Sequence, residues 1–295
     1  MQTPPPFEYE LAASVDDALA LLERYGPSSR LLAGGQSLLP MMKLRLARPE
    51  VLIDVNGLTE LSYIRVEACE IRIGALARHR DLLESPLLAE HYPIVADAER
   101  RIADPLVRNR GTIGGSLCQA DPSEDLTAVC AAARTDCVIR APGGERVVPV
   151  REFHRGPFET AVGPTEILVE VRFPIRAGCG SAYEKVERRA GDWGMAAAGA
   201  VVRLEGGCII EAGVGLTAVG AEQHCSPSAE EMLLGRAPTD EVIAGAAAAA
   251  ARDVHPTTDQ RGPARYKQHL ASELTRRALT RAVSRARGEV AAPCR

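Results

Sequence analysis

Leu31-Leu32-Ala33-Gly34-Gly35-Gln36-Ser37-Leu38 and, far along the chain, Thr112-Ile113-Gly114-Gly115-Ser116 are the two stretches on which the reading of the fold turns. In the first, apolar residues run as a buried strand into paired glycines. Glycine accepts left-handed backbone angles and carries no Cβ, so backbone N–H groups can come close to an anion. Ser37 adds a hydroxyl beside the first pair, and Thr112 and Ser116 flank the second. Two such loops suit one diphosphate held from two sides, the polar centre of a dinucleotide. Paired glycines also serve plain turns, so either loop alone has a purely structural reading. Neither loop fits G-x-G-x-x-G and neither has a P-loop lysine, which disfavours a Rossmann nicotinamide domain and a P-loop nucleotidase.

Working outward from the first loop, Phe7 to Glu10 reads as a strand and Ser14 as the cap of a helix with Val15, Ala18, Leu19 and Leu22 on one face. Gly26 stops that helix, and Val51 to Val55 forms a strand closed by Asn56-Gly57. A second unit follows. Ser62 to Ala75 alternates as a strand or hairpin, Leu87 to Arg101 and Asp125 to Ala133 read as helices, Cys137 to Val150 as a hairpin turned at Pro142-Gly143-Gly144, and Ile167 to Phe173 as a strand stopped by Pro174. Gly178 and Gly180 mark a boundary. Beyond it Tyr183 to Arg188, Ala196 to Leu204 and Cys208 to Leu216 read as antiparallel strands. Ser228 with Glu231 reads as a capping box opening a helix that ends at Gly235. Helices Thr239 to Ala251 and Pro263 to Arg287 complete the chain, the last with the stripe Tyr266, Leu270, Leu274, Leu279 and Val283. The expected division is 1–177 (subdomains about 1–56 and 57–177) and 178–295.

The 295 residues exceed one small core. With 46% hydrophobic and 25% charged residues the composition is that of a globular protein. A net charge of -4 provides no basic stripe for nucleic acid. No apolar run reaches the ~20 residues that span a bilayer, and Met1 to Phe7 lacks a signal-peptide pattern, so a cytoplasmic location is expected. The cysteines (Cys69, Cys118, Cys130, Cys137, Cys179, Cys208, Cys225 and Cys294) form no C-x-x-C pair, which argues against zinc or an iron–sulfur cluster on this chain and for small buried side chains. The histidines (His79, His91, His154, His224, His255 and His269) show no metal spacing and no evident nucleophile partner, so no catalytic residue and no metal ligand is assigned.

Leu32 to Pro40 with Lys43-Leu44-Arg45 resembles the first flavin loop of the FAD-binding medium subunits of the molybdenum hydroxylases, the family of aerobic carbon monoxide dehydrogenase and xanthine dehydrogenase. Ile102-Ala103-Asp104-Pro105, Arg108 to Leu117 and Ala120 to Leu126 resemble the second loop, and Tyr183-Glu184-Lys185 with Arg188 to Trp193 a third motif. The resemblance implies an α+β architecture: a vanillyl-alcohol-oxidase-like FAD-binding domain of two α+β subdomains, then a C-terminal domain of a three-stranded antiparallel sheet with a helical bundle. It implies FAD on this chain, [2Fe-2S] clusters on a small partner subunit, molybdopterin on a large one, and a dimer of heterotrimers. Electrons would reach FAD from the clusters and leave to NAD+, a quinone or oxygen.

Residue by residue, the resemblance assigns Arg30, Leu31, Leu32, Ala33, Gly34, Gly35, Gln36, Ser37 and Leu38 to the first FAD loop, and Thr112, Gly114, Gly115 and Ser116 to the second. Asp125 matches an acid that contacts FAD in relatives; as a plain helix N-terminal charge it would be worth ~0.3–1 kcal/mol. Asp121 is a weaker match, since Asp-Pro is also a turn signal. Leu168 and Ile102 read as core that relatives place near the cofactor. Lys185 reads as an exposed lysine or as one that reaches a flavin carbonyl. Trp193, beside Asp192 in a glycine-flanked turn, suits stacking by an isoalloxazine ring. Two other readings remain open here: a stand-alone FAD-dependent oxidoreductase of the same fold, and a cofactor-free assembly subunit.

Overall fold

The computed structural model describes residues 3–289; Met1 and Cys294 lie outside the described residues. The chain opens with β1 (Glu8–Leu11), α1 (Val15–Tyr25), β2 (Ser29–Leu32), α2 (Leu38–Lys43) and β3 (Val51–Asp54). β1 and β2 each pair with β3 in parallel, giving the order β1-β3-β2. α1 begins at Ser14 because its hydroxyl accepts from Asp17 N at 3.0 Å, while the Asp17 carboxylate accepts from Ala13 N at 2.8 Å. A cap of this kind contributes ~1 kcal/mol. Leu31 and Leu32 are half-buried, not buried as read from the sequence, because β2 is an edge strand.

The second unit runs β4 (Ile64–Glu67), β5 (Glu70–Gly74), α3 (His79–Glu84), α4 (Pro86–His91), α5 (Pro93–Glu99), α6 (Pro105–Arg108), α7 (Ile113–Gln119), α8 (Asp125–Ala133), β6 (Asp136–Ala141), β7 (Gly144–Pro149), α9 (Val150–Phe153), β8 (His154–Gly156), β9 (Glu159–Thr160) and β10 (Ile167–Pro174). Its five-stranded sheet has the order β4-β5-β10-β6-β7, with the apolar strand β10 at the centre. The single helix expected over Leu87 to Arg101 is two. Pro93 has no N–H to continue a helix and pushes the residue before it out of helical angles, and Tyr92 accordingly sits at φ -138° and ψ 66°.

The third unit comprises β11 (Cys179–Val186), β12 (Ala196–Glu205), β13 (Cys208–Thr217), α10 (Pro227–Leu233), α11 (Asp240–Ala250) and α12 (Ala264–Ala286). The three strands form an antiparallel sheet in sequence order, and α12 lies across β11 and β12. β11 starts at Cys179 and ends at Val186, earlier than the Tyr183 to Arg188 expected. Gly180 is part of that strand, not of a linker: a Cβ there would lie 2.0 Å from Ala282 O of α12, so the residue is small for packing. The cap of α10 is Ser226, whose hydroxyl accepts from Ala229 N, with Pro227 at the first helical position. Ser228, expected as the cap, instead donates its hydroxyl to Asp253 Oδ2 at 2.7 Å. In α12 Leu270, Leu274, Leu279 and Val283 are buried, but Tyr266 of the expected stripe is 43% exposed.

The third unit packs hard on the second. Cβ atoms built on Gly213 and Gly215 would each lie 1.9 Å from a backbone oxygen of α8, that of Ala132 and that of Ala128. Asp97 of α5 pairs with Arg281 at 3.2 Å and with Arg285 at 2.6 Å, tying α12 to the helices of the second unit. The cysteines are less uniformly buried than expected. Cys130, Cys137 and Cys225 are buried, Cys179 and Cys208 half-buried, and Cys69 and Cys118 exposed, with no disulfide among the described residues. Among the described residues no helix is long and apolar enough to cross a membrane.

Candidate functional site

The two glycine loops touch. A Cβ on Gly34 would lie 2.4 Å from Arg110 O and 2.7 Å from Gly111 Cα, so only glycine lets the first loop rest on the turn that enters the second. Gly35 holds φ +74°, the left-handed region glycine favours. Asn56 braces the first loop, donating from Nδ2 to Ala33 O at 2.7 Å and Leu32 O at 3.2 Å. Arg78 bridges the loops, donating to Asn56 Oδ1 at 2.8 Å and to Arg110 O.

The loops differ in what they leave available. Among the described residues, the backbone N–H groups of Gly34, Gly35, Gln36, Ser37 and Leu38 donate to no protein acceptor. At the second loop the N–H groups are used internally: Ile113 N donates to Ala77 O at 3.1 Å, Gly114 N to Ala75 O at 2.9 Å, Gly115 N to Thr112 Oγ1 at 3.0 Å and Ser116 N to Thr112 O at 3.0 Å. Gly114 is small because a Cβ would meet Ala75 at 2.7 Å, whereas Gly115 is exposed. The first loop therefore has backbone donors to offer, and the second a bare backbone with the half-exposed Ser116 hydroxyl.

Third-motif residues meet the second motif. A Cβ on Gly191, itself at φ +82°, would lie 2.5 Å from Ala103 O. Lys185 is buried, against the expectation of an exposed lysine, because it reaches Asp125 Oδ2 at 2.8 Å, Glu187 at 3.4 Å and Arg101 O at 3.1 Å. Tyr183 donates to the other oxygen of Asp125 at 2.5 Å. Burial still drives the Asp125 carboxyl upward, partly offset by Lys185 and Tyr183. Beside it, burial and the Asp125 charge lift Glu124 to about 7. Ile102 and Leu168 are buried in one apolar cluster. Trp193 is 42% exposed, and Asp192 beside it is exposed too. Asp121 accepts from Ser123 N at 2.9 Å, shaping the turn into α8, and Arg30 is exposed on the edge strand β2.

One constellation was not legible in the sequence. His79, read there as lacking a partner, lies between Ser116 and Glu99: Nε2 is 3.0 Å from Ser116 Oγ, and Nδ1 is 3.0 and 3.1 Å from the two Glu99 oxygens. Burial works against a charged imidazole, but the Glu99 carboxylate outweighs it, and the net direction is upward.

A family described as the FAD binding domain in molybdopterin dehydrogenase matches residues 5–176, and one described as the CO dehydrogenase flavoprotein C-terminal domain matches residues 181–282. The chain is 42% identical over 283 residues to the carbon monoxide dehydrogenase medium chain of Hydrogenophaga pseudoflava, covering 96% of this chain and 99% of that one. It is 34% identical to the glyceraldehyde dehydrogenase medium chain of Sulfolobus acidocaldarius, covering 94% and 98%. Among solved structures, carbon monoxide dehydrogenase from Hydrogenophaga pseudoflava lacking the Mo-pyranopterin moiety aligns with a TM-score of 0.93 at 44% identity, covering 96% and 99%. Quinoline 2-oxidoreductase from Pseudomonas putida 86 aligns with a TM-score of 0.90 at 31% identity, with the same coverage. Fold and matches together define a flavoprotein subunit of an oxidoreductase. Within that class, the chain belongs to the FAD-binding medium subunits of the molybdenum hydroxylases.

Proposed function

We propose that FAD lies across the contact between the two glycine loops, its diphosphate taking the backbone donors of the first loop and the Ser116 hydroxyl of the second. The observation that carries this reading is the approach of Gly34 to Arg110 and Gly111, which sets the first loop beside the segment that leads into Thr112 to Ser116. Among the described residues, the unengaged backbone N–H groups from Gly34 to Leu38, with Gly35 at φ +74°, fit an anion that must come close to backbone. Arg30, Leu31, Leu32 and Leu38 border the first loop, and Thr112 and Gly114 hold the second in place. Asp121 and Asp125 stand at the entry to α8. Ile102, Leu168 and Lys185 are assigned to the wall behind the ring system, and Asp192 and Trp193 to its exposed side.

When bound, FAD supplies the capacity to take up and release electrons one or two at a time. The protein's own part is position and electrostatics, and no side chain is needed as a nucleophile. The subunit passes electrons from the [2Fe-2S] clusters of a small partner subunit to NAD+, a quinone or oxygen, while hydroxylation takes place at the molybdopterin of a large partner. The chain divides at about 177/178, with the C-terminal unit closing over the flavin unit. The working form is a cytoplasmic dimer of heterotrimers.

The test is co-expression with both partners, followed by mass spectrometry of the released cofactor and anaerobic addition of the complex's substrate. Stoichiometric FAD that bleaches only in the assembled complex supports the proposal. A complex without flavin overturns it, and substrate turnover by the chain alone points to a stand-alone flavoenzyme.

A further inference from the structure

Glu99, His79 and Ser116 form a line from the core to the surface of the second glycine loop. Glu99 is fully buried, His79 is 3% exposed and Ser116 is half-exposed. Among the described residues His79 is the only side chain hydrogen-bonded to the Glu99 carboxylate. The imidazole is wedged by its neighbour, since a Cβ on Gly111 would lie 2.6 Å from His79 Cδ2, and His79 N donates to Gly111 O at 3.2 Å.

A serine, an imidazole and a carboxylate in this order are the parts of an acyl-transfer site. That chemistry also requires backbone donors for an oxyanion. Here the N–H groups from Ile113 to Ser116 are all engaged within the protein, so the line lacks the second half of such a site.

What the line can do is set the direction of one hydroxyl. Glu99 accepts from Nδ1–H. If Nε2 is also protonated, it donates to Ser116 Oγ, and the serine proton must point away from the histidine, toward the loop surface. If Nε2 is bare, it accepts the serine proton, and Ser116 presents only lone pairs outward. An anion at the loop is attracted in the first state and repelled in the second. We propose that His79, anchored by Glu99, is a positioning residue that turns the Ser116 hydroxyl into a donor for the flavin diphosphate, so that binding the diphosphate takes up a proton on the imidazole.

This inference rests on the flavin reading above. Linkage gives its sign: a proton bound more tightly with ligand present means affinity that falls as pH rises through the imidazole's titration. The Glu99 charge places that titration above the ordinary histidine range. The other charged groups acting on the line are Glu124 and Asp125 at the entry to α8, and Arg108 of α6, which acts on Glu99. Glu124 titrates near the same range and is controlled by Glu124→Gln.

The experiment measures FAD affinity of the full chain by equilibrium dialysis from pH 6 to 9, with proton uptake read by calorimetry in buffers of different ionisation enthalpy. Wild type and Glu124→Gln should weaken by up to about tenfold per pH unit above the titration and take up a proton on binding. Ser116→Ala, which removes the hydroxyl without touching the buried pair, should bind at low pH as weakly as wild type does at high pH, with a flat profile. His79→Gln, if it folds, should also be flat. FAD binding with no proton uptake, or a Ser116→Ala profile like that of wild type, overturns the inference alone. Failure of FAD to bind at any pH overturns the flavin reading and the inference with it.

Discussion

Gly34 approaches Arg110 so closely that a methyl group on it would lie 2.4 Å from the Arg110 carbonyl oxygen. The atoms it would strike are backbone and cannot rotate aside. Gly34→Ala should therefore part the two loops, costing ~1–3 kcal/mol of stability and most of the bound flavin. Gly143→Ala, at a turn with no atom within 4 Å of the added methyl, should change stability by less than ~0.5 kcal/mol. Flavin-to-protein absorbance ratios and thermal midpoints of the two variants check this. Wild-type flavin content in Gly34→Ala would show that loop contact is not required for binding.

Lys185 and Asp125 form a buried pair at 2.8 Å, and removing one partner leaves the other buried without its nearest opposite charge. Lys185→Met or Asp125→Leu alone should cost ~3–5 kcal/mol, and the double variant less than the sum. Urea unfolding of the three variants measures the coupling. Additive losses would mean that the two charges do not depend on each other.

Glu124, lifted to about 7 by burial and by Asp125, makes stability depend on pH. Its folded value lies above the ordinary one of 4.5, so the folded state binds the proton more tightly than the unfolded chain. The stability this gives is complete below about pH 4.5 and lost as pH rises to about 7, with a span of about 3 kcal/mol. Glu124→Gln should be less sensitive to pH than wild type in that window and more stable at pH 8. Parallel thermal melts at pH 5 and pH 8 decide it, and an unchanged slope counts against a buried proton at this site.

Trp193 is the only tryptophan and is 42% exposed, so its emission is a clean local signal. Titrating FAD into the flavin-free chain should quench most of that emission if the indole stands beside the ring system. Trp193→Ala should leave the melting temperature nearly unchanged, as expected for an exposed side chain. Emission that ignores saturating FAD would remove Trp193 from the site.

Much of the fold was legible because its signals are local. Ser14 with Asp17, the glycine-closed turns and the largely apolar stretch of β10 each depend on residues a few positions apart. The break at Pro93 was equally local, and the apolar periodicity from Leu87 onward masked it. The candidate site divides the same way. Gly34-Gly35 and Gly114-Gly115 stand out as strings, but the approach of Gly34 to Arg110 joins residues distant in sequence. Lys185 was misjudged because a lysine is exposed by default, and its burial depends on Asp125 arriving from another unit. His79 escaped notice because its partners lie 20 and 37 positions away, with no spacing to announce them.

Gly213 and Gly215 bring the strand β13 against the carbonyl oxygens of α8, with no side chain of their own at those two points. Contact of backbone on backbone works as a weld and not as a hinge. Electron tunnelling decays exponentially with distance, so a subunit that relays electrons is sensitive to any slack between its donor-facing and acceptor-facing surfaces. By letting backbone meet backbone, two missing methyl groups remove slack between these two units.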